Sequence, residues 1–221
     1  MELDKELITK PNKYASKSSY FFDDKLIHID GYQSFLLDIK KRKLILKESD
    51  QRTILKKKLI KKALFLGNLK DKNVLDLGGN NGLFSLLSLF QGARKAHIID
   101  IDCEAIKNVK RLSIDAKIHE LSGECVNLSE ISAKSEIVLA LALVHWVFDL
   151  TTGFGSLKST IEFLRGVTKE ALIIEWVDPN DQLIKDFKHT STAKNPEEIK
   201  NYNEKNFTDL LRNRFDNLIL I

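Results

Sequence analysis

Residues 73–82, Asn-Val-Leu-Asp-Leu-Gly-Gly-Asn-Asn-Gly, constrain the fold more than any other stretch of the chain. Val74, Leu75 and Leu77 make a short apolar strand that carries one acid, Asp76. Gly78, Gly79 and Gly82 form a turn, and an apolar helix follows at once through Leu83, Phe84, Leu86, Leu87, Leu89 and Phe90. Strand, glycine turn and helix together open a nucleotide-binding βαβ unit. Glycine lets the backbone approach a ligand with no Cβ in the way. Asp76 narrows the ligand class. A pyrophosphate on the helix N-terminus favours no neighbouring carboxylate. A carboxylate here therefore suits a cationic nucleoside without phosphate.

The segment resembles motif I of the class I S-adenosylmethionine-dependent methyltransferases, Asp-x-Gly-x-x-x-Gly, filled by Asp76, Gly78 and Gly82, with Gly79 and Asn80 inside the turn. Asn80 stands where many members carry a third glycine. The resemblance extends over residues 65–220 through several motifs in order. It implies a Rossmann-like α/β fold, a mostly parallel sheet with helices on both faces, and S-adenosylmethionine as cofactor.

The remaining pattern agrees with that class. Strands are expected at 73–77, 95–100, 117–120, 136–144 and 171–177, with helices at 82–91, 103–113, 155–168 and 204–213. The apolar run through 136–144 reads as a central strand buried on both faces. A last strand is expected at 217–221, which leaves the family's C-terminal hairpin apparently incomplete. Residues 1–64 read as an N-terminal helical extension or substrate cap, and 65–221 as the cofactor-binding domain. The extension holds the aromatics Tyr14, Tyr20, Phe21 and Phe22 in a segment with extended character through His28, Ile29 and Asp30, and a helix from about 51 to 66 capped by Ser49 or Asp50.

Candidate site residues lie at the strand ends, where open α/β sheets bind ligands. Asp100 ends the second strand, and its spacing from Gly78 suits a carboxylate that accepts from both ribose hydroxyls. Asp102 competes but looks like the N-cap of the next helix. Ile101 would lie against adenine. Glu124 and Cys125 resemble the acid-plus-small pair that holds the adenine edge in this family. His145 ends the fourth strand and is the candidate base for taking a proton from a hydroxyl. Its segment resembles the Ala-Leu-x-x-His-His end of a methyltransferase subgroup, with Trp146 replacing the second His. Trp146 and Phe148 would wall the acceptor site. Glu175 and Asp181, in a segment like the subgroup's Ile-Ile-Glu-Phe-Val-x-x-x-Asp, are candidate substrate contacts. No tight spacing joins His145, Glu175 and Asp181 into a metal site, so no metal is expected.

Charge adds one more reading. The net charge is +4, yet residues 40–62 hold eleven Lys or Arg against Glu48 and Asp50. That run is either a solvated helix face or a surface for an anionic partner. The expected activity is O-methylation of a small molecule or glycan-type metabolite. The alternatives are an RNA methyltransferase that uses residues 40–62, and a non-catalytic cofactor-binding subunit. A nicotinamide dehydrogenase is disfavoured by Asp76 and by the missing Gly-x-Gly-x-x-Gly spacing. No apolar run is long enough to span a bilayer, and the start carries no secretory pattern. With Cys103 and Cys125 read as reduced thiols, the location expected is cytoplasmic.

Overall fold

The computed structural model describes residues 18–46, 51–149, 154–181 and 196–221. Tyr14 and the expected cap at Ser49 or Asp50 lie outside them. The first described elements are four short antiparallel strands, β1 (Ser19–Phe22), β2 (Leu26–Asp30), β3 (Phe35–Asp38) and β4 (Lys43–Ile45), paired in chain order. Over the described residues 18–46 this corrects the helical reading of the extension, whereas α1 (Gln51–Leu66) is helical as expected. The turns explain the meander. Asp23 Oδ1 accepts from the Lys25 and Leu26 amides, and Asp38 Oδ1 accepts from Lys41 N. Alternation along β2 and β3 buries Ile27, Ile29, Phe35 and Leu37 on one face. These side chains join Ile60, Ala63 and Leu64 of α1 in the main hydrophobic core, so the meander has no separate core.

The second sheet is β5 (Asn73–Leu77), β6 (Lys95–Asp100), β7 (Leu121–Cys125), β8 (Ser135–Ala140) and β9 (Thr168–Ile174), all parallel and ordered β7-β6-β5-β8-β9. Helices α2 (Leu83–Phe90) and α3 (Cys103–Asp115) pack with α1 on one face. On the other face lie α4 (Val144–Asp149), α5 (Leu157–Val167), α6 (Pro196–Asn201) and α7 (Glu204–Arg212). There Trp176 stacks on Tyr202 and Phe207, with ring centroids 4.6 Å apart in each pair. The sheet reverses its order of winding between β5 and β8. That switch point places the carboxyl ends of β5, β6 and β8 around one crevice.

Four boundaries differ from expectation, the first being β9, which runs Thr168–Ile174 in place of 171–177. The third strand begins at Leu121, because Ile118 N bonds back to Ser113 O and Lys117 takes a positive φ to close α3. The apolar run expected as one strand over 136–144 divides into β8, a turn at Leu141-Ala142 and α4. Both pieces are buried, so hydrophobicity alone carries no boundary. Residues 217–221 form no strand; Ile219 and Leu220 are exposed. Among the described residues no helix is long and apolar enough to cross a membrane.

Candidate active site

The glycine turn is built by close approach. Gly78 has φ +68° and donates to Ile99 O at 2.7 Å. A Cβ on it would lie 2.7 Å from Leu143 Cδ1. The turn is tied to the end of β6 through Asp100, whose Oδ2 accepts from Asn80 N and whose Oδ1 accepts from Asp102 N, each at 2.8 Å. Burial raises the Asp100 pKa, and these two amides oppose the rise. Asp102 caps α3 by accepting from Glu104 N and Ala105 N.

A cavity of about 150 Å³ opens above the turn. Gly78 and Asn80 line it from β5, Asp100, Ile101 and Asp102 from β6, Val126, Asn127 and Leu128 from β7, and Leu141 to Leu143 with Trp146 from β8. Tyr32, Gln33 and Lys56 complete the wall from the N-terminal extension. Asn80 Oδ1 is buried there with no hydrogen-bond partner among the described residues. A larger polar cleft of about 380 Å³, lined by α5, α6 and α7, holds none of the candidate site residues.

Several expected residues sit elsewhere. Asp76 does not face the cavity. It is 2% exposed beneath the turn, where Ser85 Oγ donates to its Oδ2 at 2.7 Å. A Cβ on Gly79 would lie 2.7 Å from that carboxyl, so the turn covers it. Burial pushes its pKa up to about 7, with a smaller push from the Asp100 charge and an opposing pull from the Ser85 bond. Glu124 is exposed beside His97, with Nε2 3.9 Å away, and does not line the cavity, whereas Val126 and Asn127 do. Position along the strand is the cause: Glu124 lies inside β7 opposite Ile99, whereas Val126, Asn127 and Leu128 lie beyond the strand's end and reach the cavity. Cys125 is not a free thiol. It is bonded to Cys103, with Cα atoms 5.1 Å apart, and so ties the loop after β6 to the end of β7. Gly82, at φ +83°, supports the turn from below, its missing Cβ leaving room for Ile98.

The β8–β9 side gathers the other candidates. His145 lies on α4, half-buried, next to the cavity residue Trp146. Burial lowers its pKa to about 4, Asp181 opposes this, and Lys56 adds to it. Lys56 Nζ pairs with Glu175 Oε2 at 2.5 Å and lies 5.3 Å from the Phe84 ring centroid. Glu175 and Asp181 stand behind the cavity wall rather than in it, and both act on the Tyr32 phenol, whose pKa is raised first by desolvation.

Gln33, Tyr32 and Lys56 are the site residues that sequence reasoning misses. Gln33 Oε1 accepts from Leu83 N, in the first turn of α2, at 3.3 Å, where Gly82 supplies no side-chain cap. Ser18, Asn81 and Asn108 bond one another beside it, and Tyr20 donates to Asp115 at 2.7 Å. These contacts join residues 27 to 95 positions apart. No local pattern marks them; only the basic character of Lys56 stood out.

No family model matches the sequence. Over 106 residues it is 27% identical to a ribosomal protein L11 methyltransferase of Ruminiclostridium cellulolyticum, a match that covers 45% of this chain and 34% of the relative. The chain therefore spans about a third of that relative's length. Among solved structures it resembles magnesium protoporphyrin IX methyltransferase of Synechocystis PCC 6803 with bound S-adenosylhomocysteine, at TM-score 0.53 and 16% identity over 72% of this chain and 71% of that one. It also resembles the bifunctional kinase-methyltransferase WbdD, at TM-score 0.50 and 23% identity, over 69% and 34% of the two chains. At these identities the likeness is one of fold.

Proposed function

We propose that this chain, whose fold is that of the class I S-adenosylmethionine-dependent methyltransferases, binds S-adenosylmethionine in the cavity above the glycine turn and methylates an oxygen of a small molecule or glycan-type metabolite. The observation that carries the reading is Asp100. Each of its oxygens accepts one backbone amide and keeps a second lone pair, as a ribose diol requires. Gly78 and Asn80 add to the fit. The first leaves the room a Cβ would fill, and the second holds a buried acceptor in need of a donor such as the cofactor's ammonium. Asp76 supports the turn from beneath and does not select the ligand by contact.

Bound S-adenosylmethionine supplies an electrophilic methyl group on sulfur. The chain's own residues then have three tasks. Ile101 and Val126 give apolar walls to an adenine, and Leu143 and Trp146 exclude water from the transfer path. Asp100 would hold the ribose diol, and so help align the methyl donor with the acceptor. His145, neutral at pH 7, takes the proton from the attacking hydroxyl; with a pKa of about 4 it is a weak base, and the Asp181 charge raises its proton affinity. Glu175 and Asp181 orient Lys56 and Tyr32 on the acceptor side.

RNA as acceptor is the second reading, favoured by the basic run at residues 40–62. Transfer of labelled methyl from S-adenosylmethionine to panels of hydroxylated metabolites and of RNA separates the two. Label in neither panel, with the cofactor bound, would favour the non-catalytic subunit instead.

A further inference from the structure

Helix α1 carries a second surface. Its inner stripe, including Ile60, Ala63 and Leu64, is buried in the core. Its outer face is also apolar: Leu55 is 58% exposed, Leu59 39% and Leu66 46%. At about 100° per residue these three leucines fall together with Arg52, Lys58 and Lys62 on one arc of about 120°. No acid occurs anywhere in the helix. Among the described residues Arg52, Lys58 and Lys62 make no ion pair. A merely solvated face would mix lysine with glutamate and keep leucines inside. Here cations rim exposed aliphatic side chains. Such a face is costly in water and complementary to a surface that is both anionic and apolar.

We infer that the outer face of α1 is an interfacial docking surface for an anionic lipid bilayer, with the leucines entering the headgroup–acyl boundary and Arg52, Lys58 and Lys62 meeting lipid phosphates. Lys56 of the same helix lines the cavity, so docking would hold the cavity mouth near the membrane plane. A lipid surface fits better than a nucleic acid, because three exposed leucines add nothing to phosphate contacts or to base stacking, and the helix's single exposed aromatic, Phe65, makes no stacking platform and suits a headgroup–acyl boundary. The inference stands whether or not the cavity binds S-adenosylmethionine.

Flotation of the full chain with vesicles tests it. The chain should float with phosphatidylglycerol vesicles at low salt, not with phosphatidylcholine vesicles, and less as salt rises. Lys58→Gln with Lys62→Gln should weaken partitioning roughly 25-fold, from about five-fold per lysine. Leu55→Ser with Leu59→Ser should weaken it at least ten-fold, with unchanged circular dichroism. No flotation with either vesicle would overturn the inference. So would flotation that ignores the leucine changes, or labelled RNA bound as tightly as vesicles and unaffected by those changes.

Discussion

Asp76 makes the sharpest energetic statement in the molecule. Its carboxyl is 2% exposed, and burial pushes its pKa from 3.8 to about 7. The folded chain therefore holds this proton more tightly than the unfolded chain. Stability from that preference is fully present below about pH 4 and is lost as pH rises through about 7. The shift of about three units corresponds to a total of about 4 kcal/mol, at about 1.4 kcal/mol per unit. Asp76→Asn keeps an acceptor for Ser85 Oγ and removes the titration. Urea unfolding of both proteins at several pH values isolates the effect, because groups that do not interact with Asp76 cancel in the difference and the Asp100 coupling is the smaller contribution. From pH 5 to pH 8.5 the variant should gain about 3 kcal/mol on the natural protein. A difference that stays constant with pH would refute the burial of an ionisable Asp76 beneath the turn.

Three further outcomes follow from the same geometry. Gly78→Ala places a Cβ against Leu143 at φ +68°, and should cost about 1–2 kcal/mol in thermal unfolding and weaken cofactor binding in calorimetry. His145, with its pKa lowered to about 4, should leave the turnover profile flat from pH 5 to 8, whereas His145→Gln should lose turnover and keep cofactor affinity; a limb near pH 6.5 would contradict this. Reducing the Cys103–Cys125 bond, which closes a loop between residues 22 apart, should lower stability by roughly 3 kcal/mol and loosen cofactor binding, and the double change to Ser should mimic it and ignore dithiothreitol.

Much of the frame was legible because it is local. The glycine turn, β6 ending in Asp100 and the cap at Asp102 each depend on neighbours within a few residues. Of the meander only the extended character around His28 to Asp30 was legible, since strands of three to five residues with mixed burial give little periodicity. The direction of Asp76 was not legible either. A strand buried on both faces carries no pattern to say which side an acid takes, so a carboxylate read as a ligand selector lies under the turn. Glu124 stands short of the cavity because β7 runs to Cys125, and the residues beyond that end, Val126 to Leu128, form the wall. The disulfide and the Lys56–Glu175 pair depend on β6 meeting β7 and on α1 meeting β9, contacts that spacing along the chain does not encode. The basic run was plain from the start, but only exposure shows leucines lying among the lysines.

The most direct measurement is calorimetry of S-adenosylhomocysteine against the natural protein and Asp100→Asn. One molecule should bind the natural protein, and the variant should lose roughly ten- to hundred-fold in affinity, as for a charge-assisted hydrogen-bonded pair. Equal binding by both, or uptake of a nicotinamide dinucleotide with no uptake of the methylation product, would contradict the assignment of this cavity.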